Sequence, residues 1–425
     1  MIAAATAGLI GLKVLRIFKS IFVKAPFPGP GSVTASQMSF MVRLALMSTE
    51  DTFKEFMAMT KKFGKICCFK TPTRQVLVVS DMPTYRSVMK RRPREFSKPD
   101  YENIMDGVSM ATAEGDVWKK HRKISSRPLT ETNVNKLLPM ITRTTQKMVR
   151  KLEESADEEG NIVWHPEEDL RQCASIVVSA LCMAENYPMA SKDPLYGDEI
   201  QAKLWGLIGD SFAISMKLSR VFYHDRFLYK LIFPGLRQVS GGWWRNYCQR
   251  RGLDAPCFLA EADSIGEITP TSIHSMPYIE ACALDALRLN PSVPVSINKA
   301  LVDTEVAGKT VKAGTQLIFL VGQMMRENYD EGDKFIPERW LSADGSSIDG
   351  EKRSEFIAFG FGPRQCPGRF LGIAEIICSA ALFLQHFDNF SFAKGKGVSP
   401  KFSTPLTTLP QNLAVTMQCR CNIGA

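Results

Sequence analysis

Several common signals are missing from this chain. Its eleven cysteines include no C-x-x-C pair and their number is odd, which excludes the familiar zinc spacings and argues against a disulfide-stapled secreted scaffold. No long basic run accompanies the net charge of +9, so the charge is diffuse. It suits an anionic membrane surface or an acidic protein partner and carries no nucleic-acid signature. The uncharged run before Lys13 is too short to span a bilayer, and no signal-peptidase-like cleavage site stands out. What is present is ordinary for a globular protein: 425 residues, 45% hydrophobic and 23% charged, enough for a large core.

Within residues 1–24, Lys13, Arg16 and Lys19 fall on one helical face, and Ile10, Val14, Ile17, Phe18 and Ile21 on the opposite one. This pattern predicts an interfacial amphipathic helix, or a short anchor whose basic side chains snorkel to the cytosolic side. Residues 25–31, with the run Pro26-Phe27-Pro28-Gly29-Pro30-Gly31, form a semi-rigid hinge. Residues 32–425 make the body.

The body alternates helical and strand patterns. Helices are expected over Thr52–Phe63, Asn133–Glu154, Glu167–Ala184, Tyr278–Leu289 and Leu371–Phe387. Ile66–Phe69 and Gln75–Val79 read as a hairpin. Asp81 is the N-cap of a helix reaching Met89, with Pro83 in its first turn. Val293–Phe319 breaks into short strands with turns at Gly308 and Gly314.

The stretch Phe356–Phe370, FIAFGFGPRQCPGRF, carries the chemistry. Cys366 lies in a glycine- and proline-rich loop that runs straight into an apolar helix. Such a loop offers unpaired N–H groups and a positive dipole end to an anionic sulfur. Arg364 adds a cation able to hold a carboxylate. A lone cysteine beside a turn is ordinarily structural. Here Phe359, Gly362, Arg364, Cys366 and Gly368 match F-x-x-G-x-R-x-C-x-G, with a chance expectation on the order of one in ten thousand for a chain this long.

The loop resembles the haem-binding loop of the cytochrome P450 family. The resemblance implies a mainly α fold with small β-sheets (α+β), haem b, and monooxygenation. It makes Cys366 the axial iron ligand, with Phe359, Gly360, Arg364 and Gly368 around the cofactor. Trp118 and Arg122, four apart on one helical face, match the family's upstream propionate clamp. Asp285, Arg288 and Arg339, the last within Pro337-Glu338-Arg339-Trp340, match a buried charge triad that fixes the cysteine loop. Aspartate stands at 285 where the family has glutamate, so the pair must sit closer or be bridged by water. Asn298 stands where many members have a haem-facing arginine. The basic start followed by a proline hinge resembles microsomal members. That implies the cytosolic face of the endoplasmic reticulum membrane, an NADPH-dependent flavoprotein reductase as partner, and a small apolar substrate.

One family element has no room. Residues 249–276 are too short, and too broken by glycines and Pro270, for the long central helix whose acid–threonine pair delivers protons during oxygen activation. The fold therefore carries an internal deletion there. Loss of that helix predicts that Leu287, Leu371 and Ile377 are left partly exposed. It also keeps two other readings open: an isomerase, dehydratase or peroxygenase that starts from peroxides, and an inactive haem-binding paralogue.

Overall fold

The computed structural model describes residues 25–30, 49–70, 74–99, 113–166, 169–170, 172–174, 176–177, 260–269, 271–393, 400–401, 409–410 and 413–420. The helix expected over 1–24, most of the helix expected over 167–184, and residues 249–259 of the shortened segment lie outside these.

Among the described residues the helices are α1 (Thr49–Phe63), α2 (Met82–Lys90), α3 (Gly115–Ser126), α4 (Glu131–Glu153), α5 (Pro277–Leu289), α6 (Val321–Glu327), α7 (Gly350–Glu355) and α8 (Arg369–His386). The strands are β1 (Ile66–Lys70), β2 (Gln75–Val79), β3 (Phe96–Ser97), β4 (Asn161–Trp164), β5 (Ser296–Ala300), β6 (Thr304–Val306), β7 (Lys309–Val311), β8 (Gln316–Phe319), β9 (Phe387–Phe392), β10 (Pro400–Lys401), β11 (Leu409–Pro410) and β12 (Val415–Cys419). The fold is mainly α with small sheets, as expected. The largest sheet runs β1-β2-β8-β5-β3, and a three-stranded sheet runs β4-β12-β9.

Local chemistry sets most of these boundaries. The β1–β2 hairpin pairs Ile66 with Val79 and Lys70 with Gln75. Asp81 starts α2 as expected: its Oδ2 accepts from the Thr84 N–H at 2.9 Å and from the Thr84 hydroxyl at 2.6 Å. Gly308 and Gly314 take φ of 74° and 83° at the turns. The pairing of β2 with β8 is parallel, Val76 opposite Gln316 and Val79 opposite Phe319. It joins segments far apart in sequence, which is why no local pattern announces it.

Two helices form the platform for the cysteine loop. α8 is apolar nearly all round and buries Ile373, Ala374, Ile377, Ala381 and Leu382. It packs along α4 and against α5. On α4, the buried positions Leu138, Ile141, Thr145, Met148 and Leu152 recur at intervals of three and four. α8 is long and apolar enough to cross a membrane by length and composition, yet this packing makes it a core helix. Leu287, Leu371 and Ile377 are 4%, 5% and 3% exposed. The expectation that a shortened segment would uncover them is wrong, because α8 packs along α4 on one side and against α5 on another. Residues 260–276 hold helical residues at 260–263 and a 3-10 turn, Ser272–Ser275, and no long helix among the described residues. No disulfide joins any two of the described cysteines, Cys67, Cys68, Cys173, Cys282, Cys366, Cys378 and Cys419.

Candidate functional site

The cysteine loop begins where α7 ends and closes at the N-terminus of α8. Backbone bonds shape it: the Gly360 N–H donates to Ile357 O at 2.8 Å, Gln365 to Gly362 O at 3.0 Å, and Cys366 to Phe359 O at 2.8 Å. Gly360 and Gly362 sit at φ of 79° and 72°, where a side chain is strained. A β-carbon on Gly362 would also meet Met89 O at 2.8 Å, so the loop lies directly against the end of α2. Cys366 precedes the helix cap Gly368 by two residues, which puts the Gly368 backbone N–H on the side of its sulfur where it favours the anion. Burial raises the Cys366 thiol above its ordinary value; the Gly368 N–H and the cations Arg122 and Arg369 work the other way. Burial therefore keeps the free thiol protonated, while the surrounding donors and cations favour its anion.

The structure brings Asp285, Arg288 and Arg339 together behind this loop. Arg288 and Asp285 are both fully buried and meet at 2.6 Å, so the shorter aspartate is accommodated by closeness. Arg339 Nε lies 3.3 Å from the same carboxylate oxygen. Asp285 also accepts from the Ile336 N–H at 2.7 Å and from the Trp340 indole N–H at 3.1 Å. Arg288 donates onward to Gly332 O at 2.5 Å and Lys334 O at 2.7 Å. The link to the loop passes through aromatics. Trp340 meets Phe356 edge-on at 5.4 Å, and Phe356 meets Phe359 at 6.0 Å. The Phe359 carbonyl then holds the Cys366 N–H.

The clamp residues gather on the other side. Trp118 is buried, and the Arg364 guanidinium stacks on its ring, 3.9 Å from the centroid. Arg122, one turn along α3, is close enough to Cys366 to stabilise its anion and is itself lowered by burial, then raised by Cys366 and lowered by Arg369. Arg364 donates through Nη2 to Ala113 O at 2.9 Å and to the Glu114 carboxylate. Its Nε and Nη1 are buried with no partner. Burial first, opposed by Glu114 and assisted by the neighbouring Arg92, lowers the guanidinium to about 10. Arg92 and Lys98 belong to the same cluster. Sequence reading misses Glu114, Arg92 and Lys98, which lack a spacing pattern. Asn298 is fully buried in β5 with its side-chain oxygen unpaired.

Comparison with known proteins finds a match to the cytochrome P450 family model over residues 34–241 and 260–417. The break overlaps the stretch that has no room for the central helix. Individual relatives match over shorter stretches. The chain is 32% identical to cytochrome P450 monooxygenase sphH of Aspergillus fumigatus over 29% of this chain and 23% of that protein. It is 33% identical to indolin-2-one monooxygenase of Zea mays, covering 31% and 26%. It is 32% identical to probable cytochrome P450 4s3 of Drosophila melanogaster, covering 35% and 29%. The chain thus spans under a third of the length of each of these relatives.

Proposed function

This chain belongs to the cytochrome P450 family, and on that premise we propose that it is a membrane-associated haem-thiolate oxidoreductase of the monooxygenase type, acting on a small apolar substrate with electrons from an NADPH-dependent flavoprotein reductase. The observation that carries this reading is Cys366, fixed by its N–H on Phe359 O just before α8, with Arg122, Arg364 and Trp118 around it. The residues fit haem b. A soft sulfur faces a cationic neighbourhood, and the unpartnered Nε and Nη1 donors of buried Arg364 suit a carboxylate. Haem held there would supply the oxygen-activating iron, with the Cys366 sulfur as the protein group that would hold it.

The chain's own part is to bind and to polarise. Gly368, Arg122 and Arg369 stabilise the sulfur as an anion. Trp118 and Arg364 hold the propionate side, while Asp285, Arg288 and Arg339 fix the loop from behind. Delivery of protons is the step this sequence serves poorly. Its acid–threonine pairs, Asp51-Thr52, Glu131-Thr132 and Asp303-Thr304, lie away from any central helix. We therefore expect the chain, given a reductase and a broad panel of lipids and terpenoids, to consume NADPH and release hydrogen peroxide with little oxygenated product. Coupled product formation at ordinary enzyme rates would show that the proton path is built from other residues. The break in the family match also favours a second reading, a peroxide-consuming isomerase, dehydratase or peroxygenase. Product formed from peroxide with no reductase present would select it, and haem uptake without turnover by either route leaves an inactive haem-binding paralogue.

The basic amphipathic start places the protein at the cytosolic face of the endoplasmic reticulum membrane in this reading. Removing the residues before Pro26 is expected to move much of the protein from the membrane pellet to the soluble fraction. An unchanged distribution would assign the attachment to another surface.

A further inference from the structure

Glu114 is the N-cap residue of α3, yet its carboxylate makes no capping bond to the helix. An N-cap side chain would ordinarily satisfy one of the helix's open N–H groups. Glu114 instead turns toward three donors from two distant segments. It accepts from the Arg92 guanidinium at 3.1 Å, from the Lys98 backbone N–H at 2.8 Å, and from Arg364 Nη2. The side chains of Arg92 and Arg364 are only 4% and 3% exposed.

The consequence for Arg364 is geometric. One face lies on Trp118, and Nη2 is taken by Glu114 and the Ala113 carbonyl. The plane of the guanidinium is thereby fixed, and Nε and Nη1 are the donors left over. The local charge remains positive after Glu114 is counted: the Lys98 ammonium is pushed down to about 8, by burial first and then by Arg364 and Arg92.

We propose that Glu114 is a positioning residue of the cofactor site, aiming the free donors of Arg364 at a propionate carboxylate while holding the Arg92–Lys98 segment against the cysteine loop. This inference rests on the haem reading above. Glu114 touches no cofactor in it and acts through Arg364.

Haem release from reconstituted holoprotein to excess apomyoglobin tests it, comparing protohaem with its dimethyl ester, whose carboxylates are masked. Wild-type protein is expected to release the ester faster than protohaem. A correctly aimed charge-assisted bond is worth roughly tenfold in such a ratio. Glu114→Gln should shrink the ratio by about that factor, and Glu114→Asp, which keeps the charge, should retain part of it. Both haems leaving faster with the ratio unchanged would mean a merely structural role and overturn the proposal. Slower release of protohaem from Glu114→Gln would also overturn it, since Glu114 would then compete with the propionate. If Glu114→Gln does not fold, a wild-type ratio in Glu114→Asp overturns the proposal and a reduced one supports it. A wild-type protein that retains neither haem sinks the haem reading, and the proposal with it.

Discussion

Arg288→Ala is expected to lose about 3–5 kcal/mol of folding stability, the cost of breaking a buried ion pair from one side. Arg288 and Asp285 are both fully buried. Removing the guanidinium leaves Asp285 with only part of its donor set and uncaps the Gly332 and Lys334 carbonyls. Arg288→Lys should recover little, because an ammonium cannot reproduce the fork that reaches Asp285 and both carbonyls at once. A surface pair supplies the contrast. Lys312 and Asp303 meet at 2.7 Å but are 73% and 52% exposed, and Lys312→Ala should change stability by under about 1 kcal/mol. Urea unfolding of the three variants checks the ordering. A wild-type midpoint for Arg288→Ala would mean that the triad does not support the fold. The damage should reach the cysteine loop, because Trp340 bonds to Asp285 and packs on Phe356.

Cys366→Ala is expected to have the opposite profile, a protein that folds and fails to bind through sulfur. The loop is held by the Cys366 N–H on Phe359 O and by the Gly360 and Gln365 bonds, none of which needs the side chain. Truncating a half-buried thiol to a methyl group costs on the order of 1 kcal/mol. Thiolate ligation, by contrast, is abolished outright. Unfolding of the apoprotein separates the outcomes: a midpoint close to wild type together with lost ligation fits a ligand role, whereas a collapse of the apoprotein would make Cys366 a structural residue.

Much of the cysteine loop and its supports is legible in the amino-acid sequence. The spacing of Phe359, Gly362, Arg364, Cys366 and Gly368 is local, so sequence alone displays it. The same holds for Asp81 as a helix cap and for the hairpin from Ile66 to Val79. Trp118 with Arg122 and Asp285 with Arg288 are visible as residues sharing a helical face. Other features depend on contacts across the chain. Glu114 reaches Arg364 over 250 residues, and before the Gly115 turn it reads as nothing more than an acidic helix start. The path from Asp285 to the loop through Trp340, Phe356 and Phe359 is a chain of edge-to-face aromatic contacts from separate turns, with no period to find. The sequence misleads at Leu287, Leu371 and Ile377, because their cover comes from α4, α5 and α8 packing together, which the pattern of a missing helix does not reveal.

Carbon monoxide added to the reduced wild-type protein tests thiolate ligation most directly. The account predicts the strongly red-shifted Soret band of a thiolate-ligated haem, absent from Cys366→Ala prepared in the same way. A band at the ordinary position of a nitrogen-ligated haem in the wild type, or a red-shifted band that survives Cys366→Ala, would contradict it.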